Sequence, residues 1–245
     1  MDNALFVGLS SQMVLRREMD IVANNIANAD TAGFKVESLM SRAEPKRPAV
    51  VAPGPQPVKF VLDDGVARDF GQGTLRSTGA TFDLGIEGEG FFTVSTPDGE
   101  RYTRDGRFQM DPTGRLVTTN GEPLMGDGGG EIVIDPEKGE VTISKDGVVS
   151  QGIERVGKVG VVGFADLSIL RKDGDNLYRN TSNLQPEARP DSLIRQGMLE
   201  SSNVNAVVEV TRMIEVMRAY ERVTKMMDST AELSRRSIER LGRVN

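Results

Sequence analysis

Leu15, Met19, Val22, Ile26 and Ala29 recur at alternating steps of four and three residues, with Leu5 and Leu9 adding an adjoining row nearer the start. That rhythm holds apolar side chains on one stripe of an α-helix and predicts a helix from about Asp2 or Asn3 to about Asn28. Asn28, Asp30, Thr31 and Gly33 mark its end, because these residue types compete for backbone hydrogen bonds or accept left-handed dihedrals. Phe34 can then turn back onto the helix. A longer stripe closes the chain: Ala206, Val210, Met213, Met217, Tyr220, Thr224, Met227, Ala231, Ser234, Ile238 and Leu241 keep the same rhythm. At about 1.5 Å per residue such a helix is roughly 55 Å long and needs a partner along its length. Asn203 or Asn205 serves as its N-cap, Glu209 suits the positive end of the helix dipole, and Arg235, Arg236, Arg240 and Arg243 suit the negative end.

All eleven prolines lie between these segments. Pro45, Pro48, Pro53, Pro55 and Pro57 predict a stiff, extended linker over 43–69. Asp64-Gly65, Asp98-Gly99, Asp105-Gly106, Asn120-Gly121 and Asp146-Gly147 are hairpin dipeptides separating short apolar runs. They predict an antiparallel β-domain over about 70–190, whose closure as barrel or sandwich stays open. The expected fold class is α+β: long N- and C-terminal helices forming a coiled-coil-like helical domain, with a central antiparallel all-β domain. The N-terminal helix and its turn occupy 1–42, and the C-terminal helix lies within 191–245.

The 245 residues include neither Cys nor His. Thiol nucleophiles, imidazole bases, disulfides and the usual soft-metal ligands are thereby removed. Aromatics are only 5% with no Trp, which leaves few walls for a ligand pocket. A net charge of −6 in mixed signs argues against nucleic acid as a partner. No run is long and apolar enough to cross a bilayer, and the start lacks the pattern of a cleavable signal peptide. The Gly157, Gly160, Gly163 series has the wrong spacing for a dinucleotide loop. Asp173-Gly174-Asp175-Asn176 lacks the Gly and Glu that a calcium loop needs, Asn180-Thr181-Ser182 reads as loop, and the Asp63-Asp64 pair predicts no cleft. No catalytic, cofactor or metal site is expected, and no small-molecule substrate. Met213, Met217, Met226 and Met227 read most simply as helix packing. Asn24, Asn25 and Asn28 are costly on a helix without defined partners. They read equally as a hydrogen-bonded junction or as solvated helix-end polarity.

The stretch Val22-Ala23-Asn24-Asn25-Ile26-Ala27-Asn28-Ala29-Asp30-Thr31-Ala32-Gly33-Phe34-Lys35 resembles the signature of bacterial flagellar rod and hook proteins. Asp69 to Gly73, Gly88 to Phe92, Tyr102 to Gly106, Gln196 to Val204 and Met217 to Glu221 resemble further blocks of that family. Ile26 and Ala32 depart mildly from its commonest pattern. The middle region and the run Glu140 to Gly147 are more similar to proximal-rod members than to distal-rod or hook members. The resemblance implies a structural, non-enzymatic subunit of the basal-body rod, a periplasm-spanning shaft that transmits torque and lines an export channel. It implies export through the flagellar type III apparatus without signal cleavage, then helical assembly with copies of itself and with neighbouring rod proteins. Leu5, Leu9, Leu15, Met19, Val22, Ile26, Val210, Met213, Met217, Tyr220, Met227, Ile238 and Leu241 are the expected packing residues. Asn24, Asn25, Asn28, Thr31, Gly33 and Phe34 are the expected signature junction. The rival readings are a distal-rod or hook-type subunit, a ligand-binding β-domain on a coiled-coil stalk, and an enzyme using carboxylates alone.

Overall fold

Helix α1 (Asp2–Ala27) and helix α2 (Ala206–Gly242) form where the two apolar rhythms run. The computed structural model describes residues 2–43 and 61–242. The chain divides into two compact units, one made of Met1–Ala27, Glu37–Arg68 and Asn205–Asn245, the other of Asn28–Val36 and Asp69–Val204.

In the first unit α1 and α2 run antiparallel. Gln12 donates to Thr224 at 2.8 Å, and Arg212 pairs with Glu18 at 2.9 Å. Gly8 admits the Met227 side chain, whose Cγ lies 2.6 Å from where a Cβ would stand. Ile21, Val22 and Val216 are buried in the seam. Asn205 caps α2, its Oδ1 accepting from the amides of Val207 and Val208 at 3.2 and 3.4 Å.

Strand β1 (Glu37–Ala43) pairs antiparallel with β2 (Val61–Arg68), with a bulge at Met40/Ser41 opposite Gly65. The last part of the expected 43–69 linker is therefore strand. Its residues Val61–Arg68 contain no proline, so every backbone amide can join the ladder. The five clustered prolines fall at 45–57, outside the described residues.

The second unit is built of β-strands, with one short 3-10 turn at Leu167–Ile169. β3 (Leu75–Ser77), β4 (Leu84–Glu87), β5 (Phe91–Thr96), β6 (Gly99–Thr103), β7 (Phe108–Met110) and β8 (Leu116–Thr118) come first. β9 (Val141–Ile143), β10 (Val148–Gln151), β11 (Glu154–Lys158) and β12 (Val161–Gly163) follow. β13 (Leu170–Lys172), β14 (Leu177–Asn180), β15 (Glu187–Ala188), β16 (Leu193–Gln196) and β17 (Met198–Glu200) complete it. A six-stranded antiparallel sheet has the order β13-β14-β6-β5-β12-β15, beside a three-stranded sheet β11-β10-β9. Pairs β16-β4, β17-β3 and β7-β8 stand apart. The main core gathers Leu84, Ile86, Phe92, Leu116, Leu124 and Val149, among others, and a second, aromatic cluster centres on Phe91, Tyr102, Phe164 and Tyr178. β16 and β17 fall within 191–245, the stretch expected to hold the C-terminal helix. Their ladders to β4 and β3 carry the β unit to Val204, because the helical rhythm begins only at Ala206.

Candidate assembly junction

The expected junction residues divide between the two units. In the helical unit Asn25 is fully buried. Its Nδ2 donates to the Glu37 carbonyl at 2.7 Å and to Glu209 Oε2 at 2.9 Å, while its Oδ1 accepts from the Glu37 amide at 3.0 Å. One side chain thus pairs with both backbone groups of the first residue of β1 and with the first turn of α2. Glu37 Oε1 accepts from Arg68 Nε at 2.8 Å, a cross-strand pair at one end of the β1–β2 ladder. Asn24, by contrast, lies on the exposed side of α1.

In the β unit, Thr31 donates to Asn28 through its amide at 3.2 Å and its hydroxyl at 3.1 Å. Gly33 follows with φ +69° and donates to the Glu200 carbonyl at 2.8 Å. A Cβ on Gly33 would stand 2.4 Å from the Arg104 carbonyl carbon and the Asp105 nitrogen, so backbone packs against backbone there. Phe34 is buried, with Lys172 Nζ 4.4 Å from its ring centroid. Asn203 accepts from the Val36 amide at 2.8 Å and donates to the carbonyls of Asp69 and Gly71, at 2.9 and 3.1 Å, which stitches three strands of chain together.

Beneath this turn lies an ionic cluster. Lys35 Nζ donates to Glu200 Oε1 at 2.6 Å and to the Gly71 carbonyl at 2.7 Å. Arg104 donates to Glu200 Oε2 at 3.0 Å and to the Gly88 carbonyl at 2.7 Å. The Gly73 amide also donates to Glu200, at 2.8 Å. The side chains of Lys35 and Glu200 are wholly buried and that of Arg104 nearly so. Burial lowers the Lys35 pKa from its ordinary value, and the Glu200 carboxylate only partly offsets this; the same causes lower Arg104. Two cations thus share one buried carboxylate, and the arrangement is stable only while that carboxylate is present. It positions backbone through the bonds to Gly71, Gly73 and Gly88.

Three family models match this chain. That described as "Flagella basal body rod protein" covers residues 5–35, "Flagellar hook protein FlgE/F/G D1 domain" covers 85–151, and "Flagellar basal body rod FlgEFG protein C-terminal" covers 195–240. The flagellar basal-body rod protein FlgF of Caulobacter vibrioides is 62% identical over the whole of both chains. The chain belongs to the flagellar basal-body rod protein family. Within the rod family it is FlgF-like: FlgF of Mesorhizobium japonicum is 35% identical over 99% of each chain. FlgG of Bacillus subtilis is 31% identical over 94% of this chain and 96% of that one. Rod proteins are structural, not enzymatic, and this chain is a structural subunit of the basal-body rod.

For this rod protein the expected packing residues separate into two sets. Val22 is buried between the helices, while Leu5, Leu15, Met19, Ile26, Met213, Tyr220 and Met227 are partly covered. Leu9, Val210 and Met217 remain 48%, 46% and 48% exposed. The side chains of Ile238 and Leu241 lie outside the described residues. The inward stripe of α2 runs through Glu209, Arg212, Val216 and Met227. At Glu209, Arg212 and Val216 it is set one position back from the apolar series because polar pairs to Asn25 and Glu18 share the seam, whereas at Thr224 and Met227 it coincides with that series. Reading α2 by hydrophobicity alone assigns Glu209 to the helix dipole and misses its buried contact. Lys35, Arg104 and Glu200 each fall in blocks that carry the family resemblance, which is their only sequence signal.

Gly33→Ala is expected to cost the β unit about 2–3 kcal/mol, from left-handed strain plus displaced backbone. Urea unfolding of the intact chain measures this. A loss below about 0.5 kcal/mol, the ordinary range for a surface change, would contradict the close approach.

Proposed function

We propose that this chain assembles helically into the proximal part of the periplasm-spanning rod, through coiled-coil pairing of α1 and α2 with helices of neighbouring copies and of other rod proteins. The uncovered apolar stripes carry this reading. On α1, Phe6, Leu9 and Met13 are exposed at steps of three and four; on α2, Val207, Val210, Ile214 and Met217 are exposed at steps of three, four and three. Each helix therefore has a face used inside the chain and a second face that nothing among the described residues covers. Patches of this kind mark protein contact sites, and a three-four rhythm is the spacing a neighbouring helix fills. The resemblance to proximal-rod members supports the place in the rod. Delivery through the type III apparatus without signal cleavage, and a division into a helical core domain and a central β-domain, belong to the same reading.

Leu9→Lys and Ile214→Lys test it. Both positions face outward, so each substitution is expected to shift stability by less than about 1 kcal/mol. Both together are expected to lower the amount of the chain in purified basal bodies at least tenfold, and motility with it. Normal incorporation of the double variant would sink the proposal.

A further inference from the structure

Phe70, Phe91 and Arg104, from three of the blocks that carry the family resemblance, line one cavity of about 540 Å³ within the β unit. That volume is in the range of sites that admit a sizeable ligand, about 300–1,000 Å³. Its wall is aromatic, with Phe70 edge-on to Phe91 at 5.4 Å between ring centroids and Phe164 6.5 Å from Phe91. Asp69 and Glu89 line it as exposed acids. Arg189 adds a cation whose Nη2 reaches the Phe164 carbonyl at 3.5 Å and whose Nε has no hydrogen-bond partner. The ion cluster absorbs Arg104, and Phe91 and Phe164 are buried in the aromatic core cluster; the apolar lining left accessible is half-buried Phe70 with exposed Leu167 and Ala165, beside two acids and one base.

The same unit carries a matching projection. Gln151 pairs with Glu154 across a two-residue turn of Gly152 and Ile153, in which Gly152 has φ +59°. Glycine at the first central position fits a type II′ hairpin, and the apex beside it ordinarily takes a small or polar residue. Here it is Ile153, at 108% relative exposure. A branched apolar side chain held in water against the local preference is the kind of conflict that marks a functional position. Glu154 and Arg155, both exposed, follow it.

We infer that Ile153 of one copy enters this cavity on the next copy, against Phe70 and Leu167. Arg155 then meets Glu89 and Asp69, and Glu154 meets Arg189. Glu154 holds Lys138 at 2.9 Å within the single chain, but both side chains are more than half exposed, and such a pair exchanges readily. Projection and cavity are different patches, so the contact is heterologous: every copy offers both, and copies add head to tail rather than closing as a two-fold dimer. The inference rests on the rod reading only in requiring adjacent copies, and it involves the β unit rather than the helices.

The absence of cysteine makes the test direct. Cells producing Ile153→Cys together with Ala165→Cys, whose side chain lies exposed at the cavity, are expected to yield basal bodies with a disulfide joining one copy of each. Either variant alone, or Ile153→Cys with Thr211→Cys on α2, is expected to give at least tenfold less. Glu89→Arg should lower the cross-link at least fivefold, and adding Arg155→Glu should restore it. Basal bodies containing both variants without a cross-link above the Thr211 control overturn the contact and leave the rod reading standing. Absence of the unsubstituted chain from basal bodies, read on the same gel, overturns the rod reading and the contact with it. If Ile153→Cys fails to enter, the charge reversal decides: motility lost with Glu89→Arg and regained with the pair supports the contact, and no recovery overturns it.

Discussion

Glu200→Gln is expected to destabilise the β unit by about 3–5 kcal/mol, the cost of leaving buried charge without its partner. The substitution keeps shape and size, so packing is not what fails. Lys35 and Arg104, at 2.6 and 3.0 Å, would both lose their carboxylate while their own side chains stay buried. Lys35→Met is expected to cost far less, about 1–2 kcal/mol, because it leaves one cation paired with one anion and forfeits mainly the bond to the Gly71 carbonyl. The pH dependence has a definite sign. The folded pKa of Lys35 lies below its ordinary 10.5 because burial disfavours the ammonium. Between that lowered value and 10.5 the unfolded chain binds more protons than the folded one, so this group makes stability rise with pH across the window. Below the lowered value the ammonium weighs against the fold, and the weight lifts as pH climbs through it. Removing Glu200 removes what holds that pKa up, so in Glu200→Gln the window extends to lower pH. Urea unfolding at several pH values, followed by near-ultraviolet circular dichroism of the buried Tyr102 and Tyr178, reads both effects. A smaller loss for Glu200→Gln than for Lys35→Met would refute the charge argument.

The helices were the legible part of this chain, because a three-four rhythm with an asparagine cap is a local signal. α2 begins at Ala206, where the apolar series starts, and α1 ends one residue before the expected Asn28. The hairpin dipeptides were legible in part: Asp98-Gly99 joins β5 to β6 and Asp146-Gly147 joins β9 to β10, each glycine at positive φ. Asp64-Gly65 instead lies inside β2 opposite a bulge, and Gly106 packs where a Cβ would stand 1.7 Å from the Leu84 carbonyl oxygen. The dipeptide alone does not distinguish a turn from a bulge or a close approach. Within the asparagine cluster, Asn25 is buried in defined bonds, while Asn24 lies on the exposed side of α1. What stayed illegible is long-range. Lys35 and Glu200 are 165 residues apart, and no spacing rule joins a lysine after a turn to a glutamate at the end of a strand. The inward face of α2 was hidden for a related reason: Glu209 and Arg212 gain their value from partners on α1, which composition does not show.

Asn25→Asp is the substitution expected to act most strongly on the helical unit, at about 3–5 kcal/mol near neutral pH. The side chain keeps its shape, and the oxygen that accepts from the Glu37 amide at 3.0 Å is retained. The nitrogen that donates to the Glu37 carbonyl at 2.7 Å and to Glu209 at 2.9 Å becomes an oxygen facing two oxygens, one of them charged. A proton shared by the two carboxyls relieves this, as for any pair of buried acids at contact distance. The folded pKa of the new acid is therefore raised. Such a group favours the fold while protonated and loses that contribution as pH rises through the raised value, so the deficit relative to the parent should be small near pH 4 and grow toward pH 7. Glu209→Gln in the same chain supplies a donor where the charge stood and is expected to recover at least about 2 kcal/mol, a coupling that a double-mutant cycle isolates. Helical circular dichroism against urea gives all four corners of the cycle. Additive losses would mean that Asn25 and Glu209 do not act through the bond between them. Coupled losses would identify this buried amide as the clamp that fixes the first residue of the β1–β2 hairpin against the start of α2, beside the apolar stripe that neighbouring copies are proposed to cover.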